Sequence, residues 1–202
     1  MESLALALSS GWASGINSYL VVLVLGIAER FGSFAQIPDT LGKWEVLAAA
    51  AVMYAFEFVA DKVPYVDTVW DVISTLIRPM VGGTVGVLIA GDSTAMNELI
   101  GGSVGGTSAL VSHAIKTSTR IAVNTSPEPF TNIAVSIGED LVVLALVWFA
   151  VNHPVAAAVV AMVLLAISLV VLWLAWRLVR RGWARFQAWR LRRKGLDPRV
   201  LT

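Results

Sequence analysis

Cysteine is absent from this 202-residue chain, which removes disulfides, thiolate zinc sites and iron–sulfur clusters from consideration. Histidine is nearly absent too. With only His113 and His153, a zinc site would have to be completed by carboxylates. Charge is scarce: 14% of residues are Asp, Glu, Lys or Arg against 57% hydrophobic ones, leaving no stretch polar enough for a separate soluble module. Motifs that carry enzyme chemistry are missing as well. There is no His-Glu-x-x-His helix, no Gly-x-Ser-x-Gly elbow and no Gly-Lys-Ser/Thr phosphate loop. The expectation is a non-enzyme with no cofactor and no assigned metal. The Met1-Glu2 start lacks the basic residues of a secretory signal, so no cleaved leader is expected.

What is present is a succession of apolar runs. The chain reads as an all-α, polytopic transmembrane helical bundle of about six spans. Breakers place them at Gly11 to Phe31, Trp44 to Lys62, Asp67 to Ala90, Gly101 to Asn124, Asn132 to Val151 and Val155 to Trp176. The last two come from one stretch, Leu141 to Trp176, that holds no Asp, Glu, Lys or Arg. It is too long for one crossing of about 20 residues, so it is expected to turn at Asn152-His153-Pro154. Residues 1–176 form the membrane domain and 177–202 a tail.

That tail is basic. Seven Arg and one Lys fall between Arg177 and Lys194, interleaved with Trp183, Phe186 and Trp189. Basic residues among aromatics are one signature of nucleic-acid binding, but this segment directly follows a membrane span. It reads as an amphipathic helix on an anionic lipid surface, with Arg177, Arg180, Arg181, Arg185 and Arg190 at the headgroups and no nucleic-acid partner. By the positive-inside rule the C-terminus is cytoplasmic, and six crossings put both termini there.

An internal match points to symmetry. Leu8 and Leu99, Gly11 and Gly102, Gly15 and Gly106, Pro38 and Pro129, and Thr40 and Thr131 all share one offset of 91 residues. Three spans per repeat, over residues 8–91 and 99–176, would insert in opposite orientations, as in many secondary transporters. The glycines carry two readings. Gly11 with Gly15, Gly82 with Gly86 and Gly102 with Gly106 have the small-xxx-small spacing of closely packed membrane helices. The same glycines could instead break a span, so that half-helix ends point into a central site.

The ionisable residues inside these runs are the main functional signal, because charge in a bilayer faces a bundle interior or a water-filled cavity. Helical spacing sorts them into stripes. Glu57 and Asp61 share a face, Asp67, Asp71, Ser74 and Arg78 another, and Ser112, Lys116 and Arg120 a third with His113 beside them. Asn132, Ser136, Glu139 and Asp140 form a fourth, and Ser10, Ser14, Asn17 and Ser18 an uncharged fifth. Glu57, Asp61, Asp71, Arg78, His113, Lys116, Glu139 and Asp140 are the candidate ion or substrate contacts. Four blander readings stand beside this one. The cations could pair with the carboxylates only to hold the bundle together. Asp61, Lys62, Asp67 and Arg120 read equally well as solvated helix ends. Glu139-Asp140 could simply complement a helix N-terminus, and His113 could be a packing residue rather than a proton shuttle.

Together the run from Glu57 to Asp71, the Ile77-Arg78-Pro79 string, the run from Gly105 to Lys116, Ser126-Pro-Glu-Pro129 and Glu139-Asp140 resemble a widespread bacterial family of small integral membrane proteins. That family is catalogued only as a domain of unknown function. The resemblance spans Gly11 to Val151 and implies a multi-pass protein of the bacterial inner membrane, with no activity attached. The expected function is a small transporter or channel for an ion or polar solute, proton- or cation-coupled, working as a homo-oligomer among membrane lipids. A lipid scramblase or flippase, and a non-transporting assembly protein, are the alternatives.

Overall fold

The computed structural model describes residues 1–32, 34–63, 65–91, 94–124 and 129–193, the side chains of residues 129, 184, 185 and 188–193 excepted. Expectations that concern Pro64, Pro127 and Lys194, or the side chains of Pro129, Arg185, Trp189 and Arg190, lie outside the described residues.

Among the described residues there are six helices and no strand: α1 (Glu2–Phe31), α2 (Trp44–Ala60), α3 (Val66–Ala90), α4 (Ala95–Asn124), α5 (Pro129–Asn152) and α6 (Pro154–Arg193). Helix is what apolar sequence must form where no water can satisfy backbone groups. α1, α3, α5 and α6 are long and apolar enough to cross a membrane. α2 has 17 residues, and α4 is diluted by its glycines and polar stripe. The hairpin expected in the uncharged stretch is there, with α5 ending at Asn152 and α6 beginning at Pro154.

α1 is the centre of the bundle and packs against all five other helices. It does not cross it. At Asn17 the backbone leaves the helical region (φ −149°, ψ 95°), and the chain folds back. The first arm, residues 2–16, packs along α4: Gly11 sits against Gly105 and Ser108, and Gly15 against Ala109 and Ser112. The second arm, residues 18–31, runs along α2, with Gly26 against Leu41 and Leu47 and Arg30 bonded to the Gly42 carbonyl. Ser3 therefore lines the same cavity as residues 35–40 and the close of α3. Both ends of α1 lie at one end of the bundle, and Asn17 lies in its middle.

Three expectations are corrected by this path. The first run is a re-entrant V rather than a crossing. The helices that traverse the bundle are α2 to α6, so Met1 and the basic end of α6 lie at opposite ends, not together. α1 and α4, which the 91-residue offset pairs, take different routes, since α4 runs unbroken past all its glycines. An inverted repeat of two like halves does not describe the chain.

The glycines act as contacts between helices. A Cβ on Gly105 would stand 2.2 Å from the Gly82 carbonyl oxygen, and one on Gly86 2.2 Å from that of Gly101. α3 and α4 thus touch backbone to backbone. Gly102 and Gly106 line the same seam beside Val87, Gly83 and Pro79. α6 continues as one helix through Arg177, Arg180 and Arg181 to Arg193. At about 1.5 Å per residue, its 40 residues outrun the bundle, and the basic segment prolongs the span instead of breaking away from it.

Candidate functional site

The fold at Asn17 exposes backbone groups in the middle of the bundle, and side chains from three helices satisfy them. At the end of the first arm, Lys116 Nζ donates to the Ile16 carbonyl at 3.0 Å and Arg78 Nη1 to the Gly15 carbonyl at 3.2 Å. Ser112 Oγ donates to the Trp12 carbonyl at 2.6 Å. Cations belong at this carbonyl end of a helix. Asn17 then caps the second arm: its Oδ1 accepts from the Leu20 N–H at 3.0 Å, the N-cap-to-N3 bond of an Asn cap. Its Nδ2 donates to Asp140 Oδ1 at 2.9 Å. A single asparagine thus terminates one half-helix, starts the next and reaches a carboxylate on α5.

Around this tip the charged stripes converge into one network. Arg78 bridges Glu57 (2.7 Å) and Asp71 (3.2 Å). Lys116 faces Asp61 at 2.6 Å, Glu57 at 3.5 Å and Glu139 at 3.8 Å. Arg120 bonds Glu139 Oε2 at 2.6 Å and Asn132 Oδ1 at 2.6 Å, and reaches Asp61 Oδ2 at 3.3 Å and Asp67 at 4.0 Å. Glu57, Asp61, Asp67, Asp71, Arg78, Lys116 and Arg120 are all buried, so the reading of Asp61, Asp67 and Arg120 as solvated ends is corrected. Lys62 alone of that set is partly exposed; it donates to the Phe58 carbonyl at 2.9 Å.

His113 sits inside the network. Its Nδ1 is 2.7 Å from Arg78 Nη1, which can only donate, so the ring is a neutral acceptor there. Its Nε2–H is left to bond Thr75 Oγ1 at 3.1 Å, while the Thr75 hydroxyl donates to the Asp71 carbonyl. That geometry makes His113 a fixed link between α3 and α4.

Every candidate contact named from the sequence belongs to this one assembly, and the structure adds Asp67, Asn132, Tyr54 and the Gly15 and Ile16 carbonyls. Asn132 was already in the α5 stripe, and Asp67 in that of α3. Tyr54, whose hydroxyl donates to Asp140 at 3.4 Å, carried no polar spacing to single it out. Carboxyls outnumber cations: Glu57, Asp61, Asp67, Asp71, Glu139 and Asp140 face Arg78, Lys116 and Arg120. Several oxygens find no hydrogen-bond donor, among them Glu57 Oε2, Asp61 Oδ1 and Asp71 Oδ2. Among the described residues no three acidic or histidine side chains converge as a metal cage.

The model of one protein family, described as "Domain of unknown function (DUF4126)", matches residues 4–180. The chain belongs to this family. The match takes in α1 to α5 and most of α6, so the re-entrant arm and the ion network lie inside the DUF4126 unit. No curated protein and no solved structure matches the chain.

Proposed function

We propose that this DUF4126 protein is a small membrane transporter or channel for an ion or polar solute. The observation that carries the reading is the break in α1 at Asn17, mid-bundle and in contact with the charged network. Irregular backbone at membrane depth is tolerated where it is buried in protein or lines a polar cavity, and discontinuous helices are how many transporters build a central site. A purely structural bundle has no need of a helix that enters and returns. The charges also sit where a moving solute would meet them, from the middle of the bundle to its basic end.

The proposed setting is the bacterial inner membrane. The arginines of α6 support a cytoplasmic basic end, and with it the path of α1 supports an outer position for Met1. The outward faces of α2 and α6 leave Phe56, Val59, Trp173 and Trp176 exposed, surface that lipid or a second copy covers in a homo-oligomer.

One observation favours the lipid-handling alternative. α2 and α5 meet through the Tyr54–Asp140 and Lys62–Ser136 contacts (3.4 and 3.5 Å), and the Glu139 side chain keeps 15% exposure there. A headgroup could enter sideways at that seam. Reconstitution separates the two: a solute gradient that dissipates through the protein, and slows in Glu139→Gln/Asp140→Asn, supports transport. Accelerated exchange of a fluorescent phospholipid, with solutes retained, would replace it with the lipid reading.

A further inference from the structure

At the Met1 end of the bundle a cavity of about 660 Å³ opens between residues 35–40, the close of α3 and the start of α4. It shares Ser3 and Ala90 with a second cavity of about 280 Å³, between the first arm of α1 and the start of α4. Among the described residues their charged side chains are Asp39 and Glu98, no lysine or arginine side chain lines either one, and Met1, which carries the chain's amino group, lines the smaller.

The wall of these cavities continues inward. Ser3 and Ala7 belong to one face of the first arm, and at i, i+4, i+7, i+11 and i+14 that face carries on as Ser10, Ser14 and Asn17. Ser10 and Ser14 are fully buried, as is Ser18 just past the fold, yet none of the three hydroxyls has a hydrogen-bond partner. Buried polar groups are almost always bonded to protein or water, so two orphans on one face and a third just past the fold mark a route for something that supplies the missing bonds. Ser14 faces Gly82, one turn above Arg78, so the file ends at the network. There the carboxyls exceed the cations, and the Glu57, Asp61 and Asp71 oxygens are unpartnered.

We infer that the cargo is a small hard cation, a proton or a bare monovalent metal ion, entering at the Met1 end and descending the serine face of α1 to the fold at Asn17. This rests on the transport reading and names its substrate class. A mouth with two carboxylates, Asp39 and Glu98, against the one ammonium of Met1 concentrates cations. Hydroxyl and carboxyl oxygens are the ligands that hard cations take. The backbone contacts of Gly82, Gly86, Gly101 and Gly105 leave the seam too narrow for a large solute. Arg78 and Lys116, drawn to the Gly15 and Ile16 carbonyls, end the outer file and begin the inner half.

The test is flux in vesicles holding the full chain, with imposed gradients of protons, Na⁺, K⁺, Li⁺, chloride and phosphate. The expected result is movement of at least one cation and of neither anion. Ser10→Ala/Ser14→Ala/Ser18→Ala should cut that flux at least tenfold without lowering the unfolding temperature, because an unpartnered hydroxyl contributes no bond to lose. Ser14→Ala alone serves if the triple variant does not accumulate. Asp39→Asn/Glu98→Gln should raise the half-saturating cation concentration and keep the maximal rate. Chloride or phosphate moving instead overturns the cation assignment and leaves the transport reading standing. Wild-type cation flux in the serine variants overturns the route. No flux of any of the six removes the transport reading, and this inference with it.

Discussion

The ammonium of Lys116, on α4, donates to the carbonyl of Ile16 at 3.0 Å, one residue before the chain reverses at Asn17. The same nitrogen is 2.6 Å from Oδ2 of Asp61, the C-cap residue of α2. One cation therefore ties the re-entrant tip to the acidic end of a neighbouring helix, in a place where it is fully buried.

Removing one partner of a buried ion pair leaves the other uncompensated. Lys116→Met should lower stability by about 3–5 kcal/mol, read as a large drop in unfolding temperature of the detergent-purified protein. Lys116→Met/Asp61→Asn should recover part of that loss, because Asp61 then brings no unpaired charge. A double variant no better than the single one would show that the pair is not coupled.

Asn17 has two separable roles. Asn17→Ala loses the cap on the second arm, about 1 kcal/mol, and the bond to Asp140 as well. Asn17→Ser can still cap Leu20 but is too short to hold Asp140. Serine should therefore restore most of the stability that alanine loses, with solute flux still reduced. Equal stability of the alanine and serine variants would remove the capping role.

The glycines predict a contrast. Gly105→Ala puts a methyl group 2.2 Å from a carbonyl oxygen of α3, and such overpacking typically costs about 1–3 kcal/mol. Gly138, within α5, has nothing within 4 Å of an added Cβ. There alanine should stabilise by up to about 1 kcal/mol through helix propensity. Thermal unfolding of the two variants side by side checks both signs.

Much of this arrangement is legible in the residues. The α5–α6 turn follows from an uncharged stretch too long for one crossing, broken at Asn152 to Pro154. The helical spacing of Glu57 with Asp61, Asp71 with Arg78, and Lys116 with Arg120 anticipates a single polar interior, because charge in an apolar bundle has one place to go. The fold in α1 was not legible. Proline or paired glycines would announce a break, and Asn17 is neither; the glycine-rich segment that looked breakable, in α4, is straight. The clue was length, since 30 residues of helix exceed the roughly 20 that a crossing needs. Burial was the second: α1 is enclosed along most of both arms, and a helix buried on most sides shows little sidedness to read. Asp67 looked like a solvated helix end because spacing gives the face of a residue but not its depth.

The re-entrant path of α1 is the central claim, and the absence of native cysteine makes its test clean. Single cysteines at Ser3, Thr40 and Gly182, introduced one at a time, would be challenged in oriented membranes with a thiol reagent that cannot cross the bilayer. With α1 folded back at Asn17, Ser3→Cys and Thr40→Cys react from the same side and Gly182→Cys from the other. Labelling of Ser3→Cys and Thr40→Cys from opposite sides would mean that α1 crosses the membrane and that no re-entrant tip exists at Asn17.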